Sequence, residues 1–124
     1  MTPLLQIEGI RRNFGGLVAL DQVTFTVGAG QITALIGPNG AGKTTLFNII
    51  SGLLKPDAGR IHFKGKPLTG LRPYQVARAG VSRTFQNLSL FLQMNVLENV
   101  MVGRHRRSRF EFAACAFRFW GQRR

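Results

Sequence analysis

The sequence predicts an α/β or α+β chain, and three features carry that expectation: alternating apolar residues near the start, a short apolar run entering a glycine-rich turn, and helical spacing directly after that turn. "LLQIEGI" (Leu4–Ile10) alternates well enough to be a strand. "VALDQVTFTV" (Val18–Val27) does likewise, with Val23, Phe25 and Val27 on one face. "GAG" at Gly28–Gly30 reads as a hairpin-type turn, and the "GAGQIT" it begins does not complete a dinucleotide fingerprint. "QITALIG" (Gln31–Gly37) suits a buried strand. From Lys43 the period changes: Leu46, Ile49, Ile50 and Leu53 recur at helical intervals until "KPDAG" (Lys55–Gly59) breaks the helix. "RIHFKG" returns to strand, "RPYQVARAG" fits a short helix ending at Gly80, and "VSRTFQ" (Val81–Gln86) is a further strand candidate. "MNVLENVMVG" (Met94–Gly103) places Val96, Leu97, Val100 and Met101 on one helical face.

A chain of 124 residues is the size of one small domain. Its net charge of +12, against only Glu8, Asp21, Asp57, Glu98 and Glu111 as acids, favours anionic partners. Seven arginines lie between Arg104 and Arg124, so much of that excess belongs to the tail. Cys115 is the single cysteine, which excludes an intramolecular disulfide and points to a reducing compartment. The opening "MTPLLQIEGI" lacks the features of a signal peptide, and no stretch is apolar for long enough to cross a bilayer. The expectation is a cytosolic chain.

Gly37-Pro38-Asn39-Gly40-Ala41-Gly42-Lys43-Thr44 fits the phosphate-loop pattern G-x-x-x-x-G-K-[ST] at every fixed position, and Thr45 continues it. Glycines at 37, 40 and 42 let backbone N–H groups turn inward around an anion. The helix beginning near Lys43 adds its positive end. Lys43 can place a point charge between the β- and γ-phosphates, and the Thr44 hydroxyl can meet the Mg²⁺ that travels with a nucleotide. A glycine-rich turn of this kind can also bind nothing. The strand expected before it and the helix expected after it favour a nucleoside triphosphate.

"GPNGAGKTTL" followed by "SGLLKPDAGRIHFKGK" resembles the ATP-binding subunits of ABC transporters. That resemblance implies an ABC ATPase core of the P-loop NTPase type with an N-terminal antiparallel β-subdomain, binding ATP with Mg²⁺. Phe14, in "RRNFGGLVAL", matches the aromatic that stacks on adenine, although a core aromatic at a strand end has the same appearance. Gln86, in "SRTFQNLSLF", matches the glutamine that contacts Mg²⁺ alongside Thr44. The apolar residues that follow, Leu88, Leu90, Phe91 and Leu92, read as core or as the groove facing a transmembrane permease subunit. "RNFGGLVALDQVTF", "VSRTFQNLSLF" and "NVLENVMVGRH" are similar to the first ATPase subunit of branched-chain amino acid importers, the LivG type, with Ser89 and Asn95 as mild departures. The implied partners are permease subunits and a second ATPase subunit, with indirect membrane association at the cytoplasmic face of the bacterial inner membrane and no nucleic acid.

The family's hydrolytic parts include a signature "LSGGQ", an Asp-Glu pair and a switch histidine. The sequence has no such signature and no two adjacent acids; His62 and His105 read as surface residues. The expectation is the N-terminal part of a longer subunit that binds without turning over usefully, with 1–103 belonging to the ATPase domain and 104–124 a basic aromatic tail. That tail reads as the start of a helical subdomain, a lipid-surface helix or a single-strand nucleic-acid binder. The rival for the whole chain is a basic nucleic-acid or membrane-surface module with a vestigial phosphate loop.

Overall fold

The computed structural model describes residues 3–85 and 90–104. The chain divides into two compact units, Met1–Thr84 and Phe85–Arg124. In the first, strands β1 (Leu5–Phe14), β2 (Leu17–Val27), β3 (Ala58–Phe63) and β4 (Lys66–Pro67) form an antiparallel sheet in the order β2-β1-β3-β4. Helices α1 (Lys43–Ile50) and α2 (Pro73–Ala79) belong to the same unit. Helix α3 (Val96–Arg104) belongs to the second.

β1 runs four residues beyond the strand expected at Leu4–Ile10, because β2 and β3 pair with it on both edges. It bulges between Ile7, opposite Phe25, and Ile10, opposite Val23, so that Glu8 and Gly9 face one residue of β2. Gly9 supplies the positive φ of 57° there, and its N–H donates to the Thr24 hydroxyl at 2.8 Å. The extra residue turns both Ile7 and Ile10 into the core, each with 0% exposure, where strict alternation would have separated them. Leu20, Ile61 and Leu68, together with Leu46 and Ile49 of α1 and Val76 of α2, complete that core. Burying an aliphatic side chain of this size is worth about 1.5–3 kcal/mol, so this cluster defines where the unit's stability lies.

α2 begins with Pro73, while the Gln75 side chain accepts the Arg72 N–H at 2.8 Å, and it ends at Gly80 as expected. Helix α1 ends earlier than its apolar spacing suggested. Its C-cap is Ser51, and Leu53 is more than half exposed. Two strand expectations fail. Gln31–Gly37 and residues 81–85 carry no strand, and Ile32 and Ile36 are 103% and 90% exposed. A strand is a property of paired segments, and no described strand pairs with residues 31–37. The turn at Gly28 does form, its N–H donating to Gln31 Oε1 at 2.9 Å, but no strand follows to make it a hairpin.

In the second unit, Asn95 and Glu98 cap α3 reciprocally. Asn95 Oδ1 accepts the Glu98 N–H at 2.9 Å, and Glu98 Oε2 accepts the Asn95 N–H at 2.8 Å. Val96, Leu97, Val100 and Met101 lie on this helix as expected, yet all four are exposed. No helix among the described residues is long and apolar enough to cross a membrane.

Candidate functional site

The phosphate loop forms as a tight turn at the head of α1. Ala41 N–H donates to Pro38 O at 3.2 Å, and Leu46 N–H donates back to Gly42 O at 2.9 Å, starting the helix. Gly40 and Gly42 take φ values of 84° and 88°, which side-chain-bearing residues rarely adopt. At Gly42 the constraint is also steric: a Cβ there would lie 2.4 Å from Ala19 O and 2.7 Å from Leu20 Cδ2. The loop is thereby clamped against β2. Gly37 differs from the other two in backbone conformation. Its φ is not positive, and what favours glycine is the nearby Ala41 Cβ, 3.2 Å from where a Cβ would stand.

Lys43 Nζ donates to Gly37 O and, at 2.6 Å, to Pro38 O, which folds its ammonium back over the loop. α1 has no side-chain cap and no acid in its first turn. Its first N–H groups therefore meet no competing carboxylate, and a helix start of this kind attracts anions. A cavity of about 310 Å³ opens beside it, lined by Asn39, Gly40, Gly42, Lys43, Thr44 and Thr45 from the loop and helix, and by Phe14, Leu17, Val18 and Ala19 from the sheet. Phe14 is 45% exposed, so it is not the core aromatic that its strand-end position also allowed.

The structure thus brings Phe14 and most of the phosphate loop to one cavity, with Gly37, Pro38 and Ala41 shaping the turn. Gln86 and Leu88 lie outside the described residues, as do His105 and the basic tail beyond Arg104. His62 sits on β3 opposite Pro67 and does not line the cavity. Among the described residues no group of three or more His, Cys, Asp or Glu could hold a metal ion.

Sequence reasoning missed Arg12 and Asp57. The Asp57 carboxylate accepts from Arg12 Nη1 and from the Asn13 N–H, each at 2.7 Å, while Arg12 Cζ lies 4.8 Å from the centroid of the Phe14 ring. The Asn13 hydrogen bond chiefly holds the Asp57 carboxyl below its ordinary value; desolvation opposes it, and the Arg12 charge and hydrogen bond add to the lowering. Their separation of 45 residues left no local signal.

A glycine loop with its lysine folded over it stands at an uncapped helix start beside an aromatic-lined cavity. The ABC transporter family model matches residues 20–123, and the chain belongs to that family. It is 43% identical over 116 residues to BraF, the high-affinity branched-chain amino acid transport ATP-binding protein of Pseudomonas aeruginosa, covering 94% of this chain and 46% of that one. With LivG of Escherichia coli, of the same description, identity is 48% over 103 residues, covering 83% and 40%. Among solved structures, the MJ1267 ATP-binding cassette of an ABC transporter superposes with a TM-score of 0.76 at 42% identity, covering 84% of this chain and 41% of that one. The chain spans less than half the length of these curated relatives.

Proposed function

We propose that this chain is the nucleotide-holding part of an ABC importer's ATP-binding subunit, and that the importer carries branched-chain amino acids. The observation that carries the nucleotide reading is the donor set: the Lys43 ammonium and the uncapped start of α1 share a cavity with the exposed ring of Phe14. Those donors fit a polyphosphate, and an exposed ring fits a base. The transport and substrate readings rest on the similarity to BraF and LivG, branched-chain amino acid transport ATP-binding proteins. These relatives are transport ATP-binding proteins, which supports this reading over the basic nucleic-acid or membrane-surface module.

Gly37 to Thr45 would hold the phosphates, and Phe14 would stack on adenine. Mg²⁺, when bound with the nucleotide, neutralises phosphate charge. Thr44 lines the cavity and would join its coordination, and the family resemblance adds Gln86. In the second unit Leu90, Phe91, Leu92, Leu97 and Val100 are all more than half exposed. Exposed apolar surface of this kind supports a permease contact after Gln86. A second ATPase subunit, and placement at the cytoplasmic face of the inner membrane, belong to the same proposal.

The test is equilibrium binding of MgATP and MgADP to the 124-residue chain and to Lys43→Ala. The parent chain is expected to bind both and Lys43→Ala neither, with little phosphate release from ATP. Equal affinity in the two proteins, or binding of RNA or anionic vesicles in place of nucleotide, would overturn the reading.

A further inference from the structure

We propose that Arg12 and Asp57 are positioning residues for the Phe14 ring: the carboxylate fixes the guanidinium, the guanidinium backs one face of the ring, and the cavity face is left for a purine base. This rests on the nucleotide reading above and assigns to it two residues that lie outside the phosphate loop. Asp57, just before β3, grips the end of β1 at three consecutive residues. Its N–H donates to Arg11 O at 2.8 Å, its Oδ1 accepts from Arg12 Nη1 at 2.7 Å, and its Oδ2 accepts from the Asn13 N–H at 2.7 Å. The next residue is Phe14, followed by Gly15 with a positive φ of 57°.

An exposed aromatic at a strand end, outside the core cluster, has little packing to fix its plane. Here the Arg12 guanidinium, 4.8 Å from the ring centroid, supplies that constraint. Arg12 is itself held: its side chain is 23% exposed, and its buried Nε makes no hydrogen bond, so Asp57 and the ring face are what orient it. Phe14 lines the cavity and Arg12 does not; in the proposed arrangement the guanidinium takes one face of the ring and the base takes the other. A cation on one face draws π density toward it and makes the opposite face a better platform for an electron-rich base.

The arrangement should affect the base and not the phosphates, which gives the test its readout. MgATP and magnesium tripolyphosphate, which has no base, are titrated calorimetrically into the full chain and into Phe14→Ala, Arg12→Gln, Arg12→Lys and Asp57→Asn. Phe14→Ala and Arg12→Gln are expected to weaken MgATP about three- to tenfold, the range typical of such ring contacts, with tripolyphosphate affinity unchanged. Arg12→Lys, which keeps the charge, should lose less than Arg12→Gln, and Asp57→Asn should fall between the parent and Arg12→Gln. If Phe14→Ala weakens MgATP but Arg12→Gln does not, the positioning role is overturned and base stacking stands. If neither variant changes MgATP affinity, the stacking role of Phe14 is itself wrong. Equal loss of both ligands in Arg12→Gln or Asp57→Asn would mean a purely structural role and overturn the proposal. A parent chain that binds neither ligand overturns the nucleotide reading, and this inference with it.

Discussion

Gly42 is the residue on which the loop's attachment to the sheet turns. Its φ of 88° and the 2.4 Å separation between a would-be Cβ and Ala19 O act together, so even the smallest substitution must move backbone. Gly42→Ala is expected to lower the unfolding free energy by about 1–3 kcal/mol, read from urea melts, and to weaken MgATP binding with it. Gly37→Ala should be milder, because its φ is not positive and the neighbour it meets is the side chain of Ala41. Asp57 gives a residue-scale prediction in pH. Its folded-state pKa is depressed below the ordinary 3.8, first by the Asn13 hydrogen bond and then by Arg12. The stability it contributes is therefore fully present above that ordinary value and is lost as pH falls through the lower, folded-state one. Between roughly pH 5 and roughly pH 2, the parent's urea midpoint should fall more steeply than that of Asp57→Asn. Parallel curves would show that the clasp contributes nothing to folding.

The elements differ in how far local chemistry alone decided them. Pro73 at the first turn and Gly80 at the end make α2 legible from its own residues. α3 carries a comparable signal in the N-x-x-E spacing of Asn95 and Glu98, which the reading by apolar periodicity passed over. That cap is testable. Asn95→Ala should cost the helix about 1 kcal/mol, seen as faster amide exchange in α3, while exchange across β1 and β3 stays unchanged. The long β1 was less legible, because its length comes from partners on both edges and its bulge from Gly9. Neither contribution shows in a two-residue period. The phosphate loop was the most legible feature of all, since its donors are consecutive residues. Arg12 and Asp57 were invisible because they meet only once β1 and β3 have paired.

Across the first unit, stability and apolar composition part company. Ile7, Ile10, Ile61 and Leu46 are sealed in the core, each at most 2% exposed, whereas Ile32 and Ile36, equally apolar in the sequence, stand in solvent beside the phosphate loop. Hydropathy ranked "QITALIG" as a buried strand, but burial requires segments on either side, and the described sheet supplies none. Substitution should expose the difference. Ile7→Ala or Ile10→Ala is expected to cost about 2–5 kcal/mol, enough to unfold a small domain near room temperature. Ile32→Thr together with Ile36→Thr should change the melting free energy of the 124-residue chain by no more than about 0.5 kcal/mol and should reduce its tendency to self-associate in light scattering. A loss in the double variant comparable to that of Ile7→Ala would show that residues 31–37 are buried in solution against a surface outside the described sheet. The loop's position at the head of α1 would then depend on that burial as well as on the clamp between Gly42 and Ala19.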